Sequence, residues 1–172
     1  MTALIRIDRS WSPAGADDDK PIRFCSRCGH PAEEPPGRPE LRRRVCQRCG
    51  MGMMLSCARQ ALPGEAAAFA IVTFELTVAA VSEAGERIFG KEDDVVGKGL
   101  LDAVTSPLGD DALARHVSQA AQNGNRDPFV MPVRLLSDDG TRKVGTLAAR
   151  IATCEPPRAA LVTVEPSEFG RR

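Results

Sequence analysis

Hydrophobic runs in the C-terminal part of the chain predict five β-strands. The first two, "FAIVTF" (69–74) and "LTVAAVS" (76–82), are separated by a single residue, which favours a tight hairpin. Three further strands are predicted later in the chain, in "FVMPVRLLS" (129–137), "KVGTLAARIATC" (143–154) and "AALVTVEP" (159–166). The turns "DDGT" (138–141) and "EPPR" (155–158) join these last three. We therefore expect an antiparallel sheet.

Between the second and third strands the pattern changes to helical spacing. We predict a short helix in 83–90, short helical turns in 92–105 that Gly97 and Gly99 interrupt, and a longer helix in 110–124. The longer helix carries an apolar stripe that should face the sheet, formed by Leu113, Val117, Ala120 and Ala121. This order of elements predicts an α+β fold, a five-stranded antiparallel sheet with its helices inserted after the second strand.

The segment 51–62, "MGMMLSCARQAL", predicts a connecting helix or a strand-to-helix segment with one apolar side. The residues of that side are Met51, Met54, Leu55, Ala58 and Leu62. The side could pack on the rest of the chain or on a second chain, since methionine adapts to varied surfaces. Cys57 lies beside it, and we expect a buried small side chain there.

The composition and the distribution of charge indicate where in the cell the protein is expected and which partners it could bind. Residues 1–63 hold 11 basic and 7 acidic side chains, and residues 64–172 hold 12 and 16, so a net +4 is balanced by a net −4. Only the first part could favour a polyanion. No apolar run is long enough to span a bilayer, and the N-terminus lacks the pattern of a signal peptide. We therefore expect a cytoplasmic protein with reduced thiols.

Four of the six cysteines form two Cys-x-x-Cys pairs, each followed by glycine. The pattern C-x2-C-x17-C-x2-C, formed by Cys25, Cys28, Cys46 and Cys49, has the spacing of a four-cysteine zinc site. It resembles the zinc ribbon family over residues 22–55. The resemblance implies a structural Zn²⁺ that these cysteines bind, with no open coordination position for catalysis.

Other interpretations of this segment are weaker but stay open. A redox-active Cys-x-x-Cys would need a βαβ pattern, which is missing here. His30 follows the first pair, and we expect a surface residue rather than a ligand. Arg42, Arg43 and Arg44 could contact phosphates, but no aromatic residue interleaves with them to stack on bases. Nucleic-acid binding is therefore possible but not favoured.

The segment "VSEAGERIFG…DVVGK" (81–98) resembles the signature of PAS domains. The matching residues are Ala84, Ile88, Phe89, Gly90, Gly97 and Lys98. Ser82 stands where the family frequently has asparagine, and the turn at 138–141 matches a hairpin usual in the family. The resemblance covers roughly residues 66–167 and implies a PAS-like sheet that senses a small molecule, haem or flavin, or that mediates dimerisation.

The resemblance bears on two cofactors. Flavin photochemistry needs a reactive cysteine in a helix motif, and nothing like that motif occurs in the sequence. Haem sensors of this family ligate iron with a histidine on the long helix, where His116 lies. The alternative is a half-buried histidine at the helix edge, and with six Phe, one Trp and no Tyr the chain has little aromatic lining for haem.

The sequence thus predicts a flexible segment (1–21), a zinc ribbon (22–55), a connecting helix or linker (56–68) and a PAS-like sensor domain (69–167). We expect a cytoplasmic signalling protein rather than an enzyme, since no catalytic motif stands out. Its partners would be a second copy, through the PAS sheet or residues 51–68, and an unidentified protein. The alternatives are a transcription-associated factor whose ribbon contacts DNA or polymerase, and a haem-based gas or redox sensor.

Overall fold

The computed structural model describes residues 20–32, 44–124, 127–136 and 145–166. Its strands are β1 Ile22–Cys25, β2 Pro31–Ala32, β3 Met54–Cys57, β4 Ala68–Val72, β5 Val78–Val81, β6 Val104–Thr105, β7 Phe129–Leu135, β8 Leu147–Glu155 and β9 Ala159–Pro166. Its helices are α1 Glu86–Phe89, α2 Glu92–Val95 and α3 Asp110–Asn123, with 3₁₀ turns at Arg59–Ala61 and Leu100–Asp102. Most of the predicted flexible segment, Arg42, Arg43 and the turn at 138–141 lie outside the described residues.

Five strands form an antiparallel sheet in the order β5-β4-β9-β8-β7. The helices α1, α2 and α3 lie between β5 and β7 in the chain, so they are inserted after the second strand of this sheet. The predicted PAS-like α+β fold is therefore confirmed, with a small cysteine-bearing ribbon before it. A short strand that the sequence did not predict, β6, pairs with the end of β7.

The inner face of the sheet packs against the long helix α3. The predicted apolar stripe of that helix is buried, and each of its residues is at most 4% exposed: Leu113, Val117, Ala120 and Ala121. They contact sheet residues such as Val72, Ile151 and Val162 in one cluster of buried side chains. The helical spacing of the sequence thus predicted correctly which side of α3 faces the sheet.

Ser82 is a buried hydrogen-bonding centre where β5 leads into α1. Its hydroxyl accepts hydrogen bonds from the backbone amides of Phe69 (3.0 Å) and Gly85 (2.9 Å), and it donates one to the carbonyl of Ala67 (3.0 Å). One serine therefore satisfies three backbone groups away from water. Serine, in place of the asparagine that is frequent in PAS domains, therefore keeps these backbone groups of the turn hydrogen-bonded.

Of the two predictions for 51–62, the connecting helix is wrong, and the strand-to-helix segment is closer to the structure. Residues Met54–Cys57 form strand β3, and a 3₁₀ turn follows it. All four residues of β3 pair with β1, and two of them also pair with β8, so sheet hydrogen bonds replace helical ones. Met51 is 69% exposed rather than part of an apolar side, whereas Cys57 is buried as expected.

The pairing of β3 with β8 joins the ribbon to the edge of the PAS-like sheet. Ser56 lies opposite Glu155, and Cys57 lies opposite Cys154, so β2, β1 and β3 continue the same sheet. The ribbon and the turn after it also cover the outer face of the sheet. A second cluster of buried side chains forms there, with Phe24, Leu55, Cys57 and Ala61 against Phe69, Ile71, Ala152, Cys154, Ala159 and Leu161.

The contact between Phe24 and Phe69 lies in this outer cluster. Their rings meet edge to face, with centroids 5.9 Å apart, and neither residue is exposed. Such aromatic pairs add stability beyond the burial of their area. The ribbon is therefore packed on the sheet as a cover for its outer face.

Arg150 binds the linker to the same face. Its guanidinium donates hydrogen bonds to the carbonyls of Gln60 (3.0 Å) and Leu62 (3.4 Å), and it forms an ion pair with Glu165 (2.9 Å). The side chain is 23% exposed, so these bonds are partly shielded from water. This arginine holds the chain between the ribbon and β4 in place.

We expect Arg150→Met to lower the free energy of unfolding by about 2 kcal/mol, because hydrogen bonds from a charged donor to two backbone carbonyls are lost. Urea denaturation of the full chain measures the change. The control is Arg158→Met, which removes a bond to the carbonyl of Gln122 from a side chain that is 52% exposed. Its expected cost is below about 0.5 kcal/mol. Equal losses in the two variants would show that the hydrogen bonds of Arg150 to the linker carbonyls do not add to stability.

In the part of the chain that the structure covers, no helix is long and apolar enough to cross a membrane.

Candidate metal centre

Two similar loops carry the four cysteines of the ribbon. Cys25 ends β1 and begins a turn that closes with a hydrogen bond from the amide of Gly29 to its carbonyl (3.0 Å). The second loop has the same bond from Gly50 to the carbonyl of Cys46 (3.0 Å). Both glycines have positive φ, 70° and 72°, a conformation that glycine adopts without strain. This explains why each pair of cysteines is followed by glycine.

The loops bring the four sulfur atoms of Cys25, Cys28, Cys46 and Cys49 within 4.8 Å of one another. The Sγ atoms of Cys25 and Cys49 are 3.6 Å apart, and those of Cys28 and Cys46 are 3.9 Å apart. A zinc ion bound at about 2.3 Å from each sulfur would place tetrahedral sulfurs about 3.8 Å apart. The spacing therefore fits one tetrahedral metal ion.

Backbone amides point at the sulfurs. The amides of Arg27 (3.3 Å) and Cys28 (3.5 Å) donate to Sγ of Cys25, and the amide of Gly52 (3.4 Å) donates to Sγ of Cys49. Donors of this kind stabilise the negative charge of thiolate ligands and fix their orientation. The hydrogen bonds of the loops therefore favour thiolate sulfurs that can bind a cation.

The thiols differ in how readily they ionise. Burial raises the pKa of Cys25 to about 12, whereas hydrogen bonds from the amides of Gly52 and Met51 lower the pKa of Cys49 to about 6. Burial also raises the pKa of Cys28. Because a buried thiolate is costly without a nearby positive charge, a bound cation would favour the ionised forms of Cys25 and Cys28.

Gly52 is pressed against the first loop. A Cβ atom at this position would overlap Sγ of Cys25 and would lie 2.8 Å from Cβ of Arg27 and 2.9 Å from its amide nitrogen. The loops are further joined by hydrogen bonds between Ser26 and Met53, from amide to carbonyl (2.8 Å) and from amide to hydroxyl (3.0 Å). The sulfur cluster therefore closes only if residue 52 has no side chain.

The other candidate residues lie outside the sulfur cluster. His30 is half-buried, and its Nδ1 pairs with Nη1 of Arg48 at 2.9 Å. Cys57 and Cys154 are buried in the outer face cluster rather than beside the four sulfurs. Arg44, the described member of the three arginines, is exposed.

His116 lies at the edge of α3. Its ring stacks on Phe129, with centroids 3.6 Å apart and planes 14° from parallel, and Phe129 is 40% exposed. The predicted haem ligand is thus half-buried beside β7 rather than within the cluster between α3 and the sheet.

A pocket of about 670 Å³ opens beside α1 and α2. Its apolar wall includes Val78, Phe89, Val95 and Leu101, and the charged side chains of Glu86 and Arg87 also line it. Pockets of this size suit small-molecule ligands. A small ligand in this pocket would contact the short helices α1 and α2.

Comparison with solved structures finds PAS domains. The PAS domain of nitrogen regulation protein NR(II) from Vibrio parahaemolyticus is 18% identical, with a TM-score of 0.45 over 59% of this chain and 90% of that one. A PAS domain from a two-component sensor histidine kinase is 15% identical, with a TM-score of 0.44 over 60% and 87%. The Cronobacter turicensis RpfR quorum-sensing receptor PAS domain in complex with BDSF is 16% identical, with a TM-score of 0.44 over 62% and 98%. No family model matches this chain, and neither does any curated protein sequence.

Proposed function

We propose that this chain is a cytoplasmic regulatory protein without catalytic activity of its own. Its PAS-like domain (69–167) would sense a ligand or mediate dimerisation, and its ribbon (22–55), held by a structural Zn²⁺, would contact other proteins. Residues 56–68 would be a linker. The observation that carries the proposal is the sulfur cluster, because four thiol ligands close a metal site and that site shapes a ribbon packed on a sensor-like fold.

Zinc is the metal that the donor set favours. Four thiolates in tetrahedral arrangement are typical of structural zinc, and iron centres are the other common occupants of such sites. With Cys25, Cys28, Cys46 and Cys49 all bound, no coordination position remains for substrate or water. The ion would supply folding energy to a ribbon whose described strands contain at most four residues.

The ribbon presents an apolar surface that suits protein contact. Val45, Met51 and Met53 are 49%, 69% and 52% exposed, and Val45 pairs with Met53 in an antiparallel bridge. Exposed apolar groups that cluster on a small module are typical of interaction sites, and methionine adapts to partners of different shape. We call these three residues the ribbon patch.

We propose that the ribbon patch contacts a second copy of the chain. The outer face of the sheet around Phe69, Ile71 and Leu161 is covered by the chain's own ribbon, so it is not accessible to another molecule in this conformation. Dimerisation would therefore use the ribbon patch, within residues 44–55, rather than the sheet face.

Nucleic-acid binding by the two loops has less support. Arg27 is paired with Glu86 and Glu92, and Arg48 is paired with Glu65. Arginines that are neutralised by the chain's own carboxylates attract phosphates weakly. The pairing weakens phosphate contact by the two loops themselves, whereas Arg44, which belongs to the arginine run of the transcription-associated alternative, is exposed.

We expect the purified chain to be a dimer in light scattering coupled to size exclusion. Replacing Met51 and Met53 together by glutamate should give monomers with unchanged metal content, because the charges oppose burial of the patch. Leu108→Glu is the control, since Leu108 is 63% exposed outside the ribbon. A wild-type monomer that binds no protein in pull-down experiments would overturn the proposal, and salt-dependent binding to duplex DNA would favour the alternative.

A further inference from the structure

Arg27 lies between two cysteines of the candidate metal site and is part of the first loop. Its backbone amide donates to Sγ of Cys25 at 3.3 Å, and Gly52 of the second loop packs against its Cβ and amide. The backbone of Arg27 is therefore held by Sγ of Cys25 and by Gly52 of the opposite loop. Opening of the metal site would release it.

The rest of Arg27 contacts the PAS-like domain. Its guanidinium binds Glu86 of α1 at 3.2 Å and also binds Glu92 of α2, and the amide of Glu83 donates to its carbonyl at 2.8 Å. The amide of Glu92 also donates to Oε1 of Glu86 (3.2 Å). One residue of the metal loop thus holds both short helices together.

These helices depend on such contacts. The helices α1 and α2 contain four residues each, so they cannot be stable without tertiary interactions. Arg27 is 20% exposed at its side chain, which places the ion pairs partly away from water and strengthens them over surface pairs. The position of α1 and α2 is therefore sensitive to the presence of Arg27.

The same helices form a wall of the pocket of about 670 Å³, through Glu86, Phe89 and Val95. A change in the metal loop consequently has a short physical path to the pocket, from sulfur to Arg27, from Arg27 to two glutamates, and from these to the helices. Each step on this path is a hydrogen bond, an ion pair or a covalent neighbour.

We infer that metal occupancy of the ribbon controls the order of α1 and α2, and with it the shape of this pocket, through Arg27. The inference rests on the metal binding proposed above and adds a regulatory link to it. Because coupling between sites is reciprocal, a ligand that orders α1 and α2 should also raise the affinity of the ribbon for the metal. Metal binding and ligand binding would then favour the same ordered conformation of α1 and α2.

Hydrogen–deuterium exchange of the full chain, with Zn²⁺ and after its removal by a chelator, tests this link. In the wild type, removal should speed exchange in α1 and α2 by about five- to tenfold, as well as in β1. In Arg27→Ala with zinc, β1 should stay protected while α1 and α2 exchange faster than in the zinc-bound wild type, because both ion pairs are lost and only the backbone bond to Glu83 remains. Glu92→Gln, which leaves the metal loop intact, should speed exchange in α1 and α2 by less than Arg27→Ala does, because Arg27 keeps its pair with Glu86.

Arg48→Ala is the matched control. Arg48 lies in the second loop and pairs with Glu65, but both side chains are more than half exposed and neither belongs to α1 or α2. This variant should respond to metal removal as the wild type does. The inference is overturned if metal removal speeds exchange in β1 but not in α1 and α2. It is also overturned if metal removal changes exchange in α1 and α2 of Arg27→Ala as much as in the wild type. A chain that takes up no zinc overturns the metal proposal itself.

Discussion

Removal of the metal is expected to expose the outer face of the PAS-like sheet and to lower the free energy of unfolding by more than about 4 kcal/mol. A ribbon with such short strands should not keep its fold without the ion, and its unfolding would uncover Phe69, Ile71 and Leu161, which are at most 5% exposed in the intact chain. Exposing three such side chains to water costs about 5–9 kcal/mol. The α3 side of the sheet should stay folded.

Cys25→Ser and chelation should give the same result. Binding of a hydrophobic dye and hydrogen exchange in β4 and β9 measure the uncovered face, while urea denaturation measures stability. Cys57→Ala is the control, since Cys57 is a buried cysteine that lies outside the sulfur cluster. It should keep one zinc per chain and bind no dye. If the metal-free chain keeps β4 and β9 protected and binds no dye, the ribbon does not cover the sheet in the way described.

A methyl group at residue 52 is expected to weaken metal binding strongly, because it would stand between the two cysteine loops. In Gly52→Ala the added Cβ overlaps Sγ of Cys25 and crowds the backbone of Arg27, so one loop has to move away from the other. The sulfurs then no longer share one tetrahedron. We expect zinc affinity to fall by about 10- to 100-fold, which competition with a chromogenic chelator measures.

Gly64→Ala is the control for this substitution. Gly64 lies in the linker, and a Cβ there meets no atom within 4 Å. The variant should bind zinc as the wild type does and should be slightly more stable, because alanine restricts the unfolded chain more than glycine does. Equal zinc affinities for the two variants would show that the tight approach of the loops is not needed for binding.

The sequence predicted β4, β9 and α3 correctly, although β4 and β9 are covered on both faces. Their short apolar runs are rich in β-branched residues and bounded by turns, and the stripe that includes Leu113 and Val117 has helical spacing. The sequence failed at β3 because Met54–Cys57 contains no β-branched residue and the apolar residues around it have helical spacing. Met54 packs with the cysteines of the metal site and Leu55 packs on the outer face, so the apolar run has no clear period of two.

The candidate site was predictable only in part. The spacing of the cysteines indicated the four sulfurs, because a Cys-x-x-Cys turn is a local structure. The roles of Gly52, Arg27 and Arg150 depend on contacts with residues far along the chain, and local patterns do not record such contacts. The extra glycine three residues after Cys49 was the one local signal, since an isolated glycine often marks a close approach of backbone.

Native mass spectrometry of the purified full chain tests the central claim most directly, because it reports metal content and oligomeric state together. The proposed function predicts one zinc per chain, two in the dimer, and loss of zinc in Cys25→Ser but not in Cys57→Ala. A metal-free wild type, or zinc that stays bound after Cys25 and Cys46 are both replaced by serine, would contradict it.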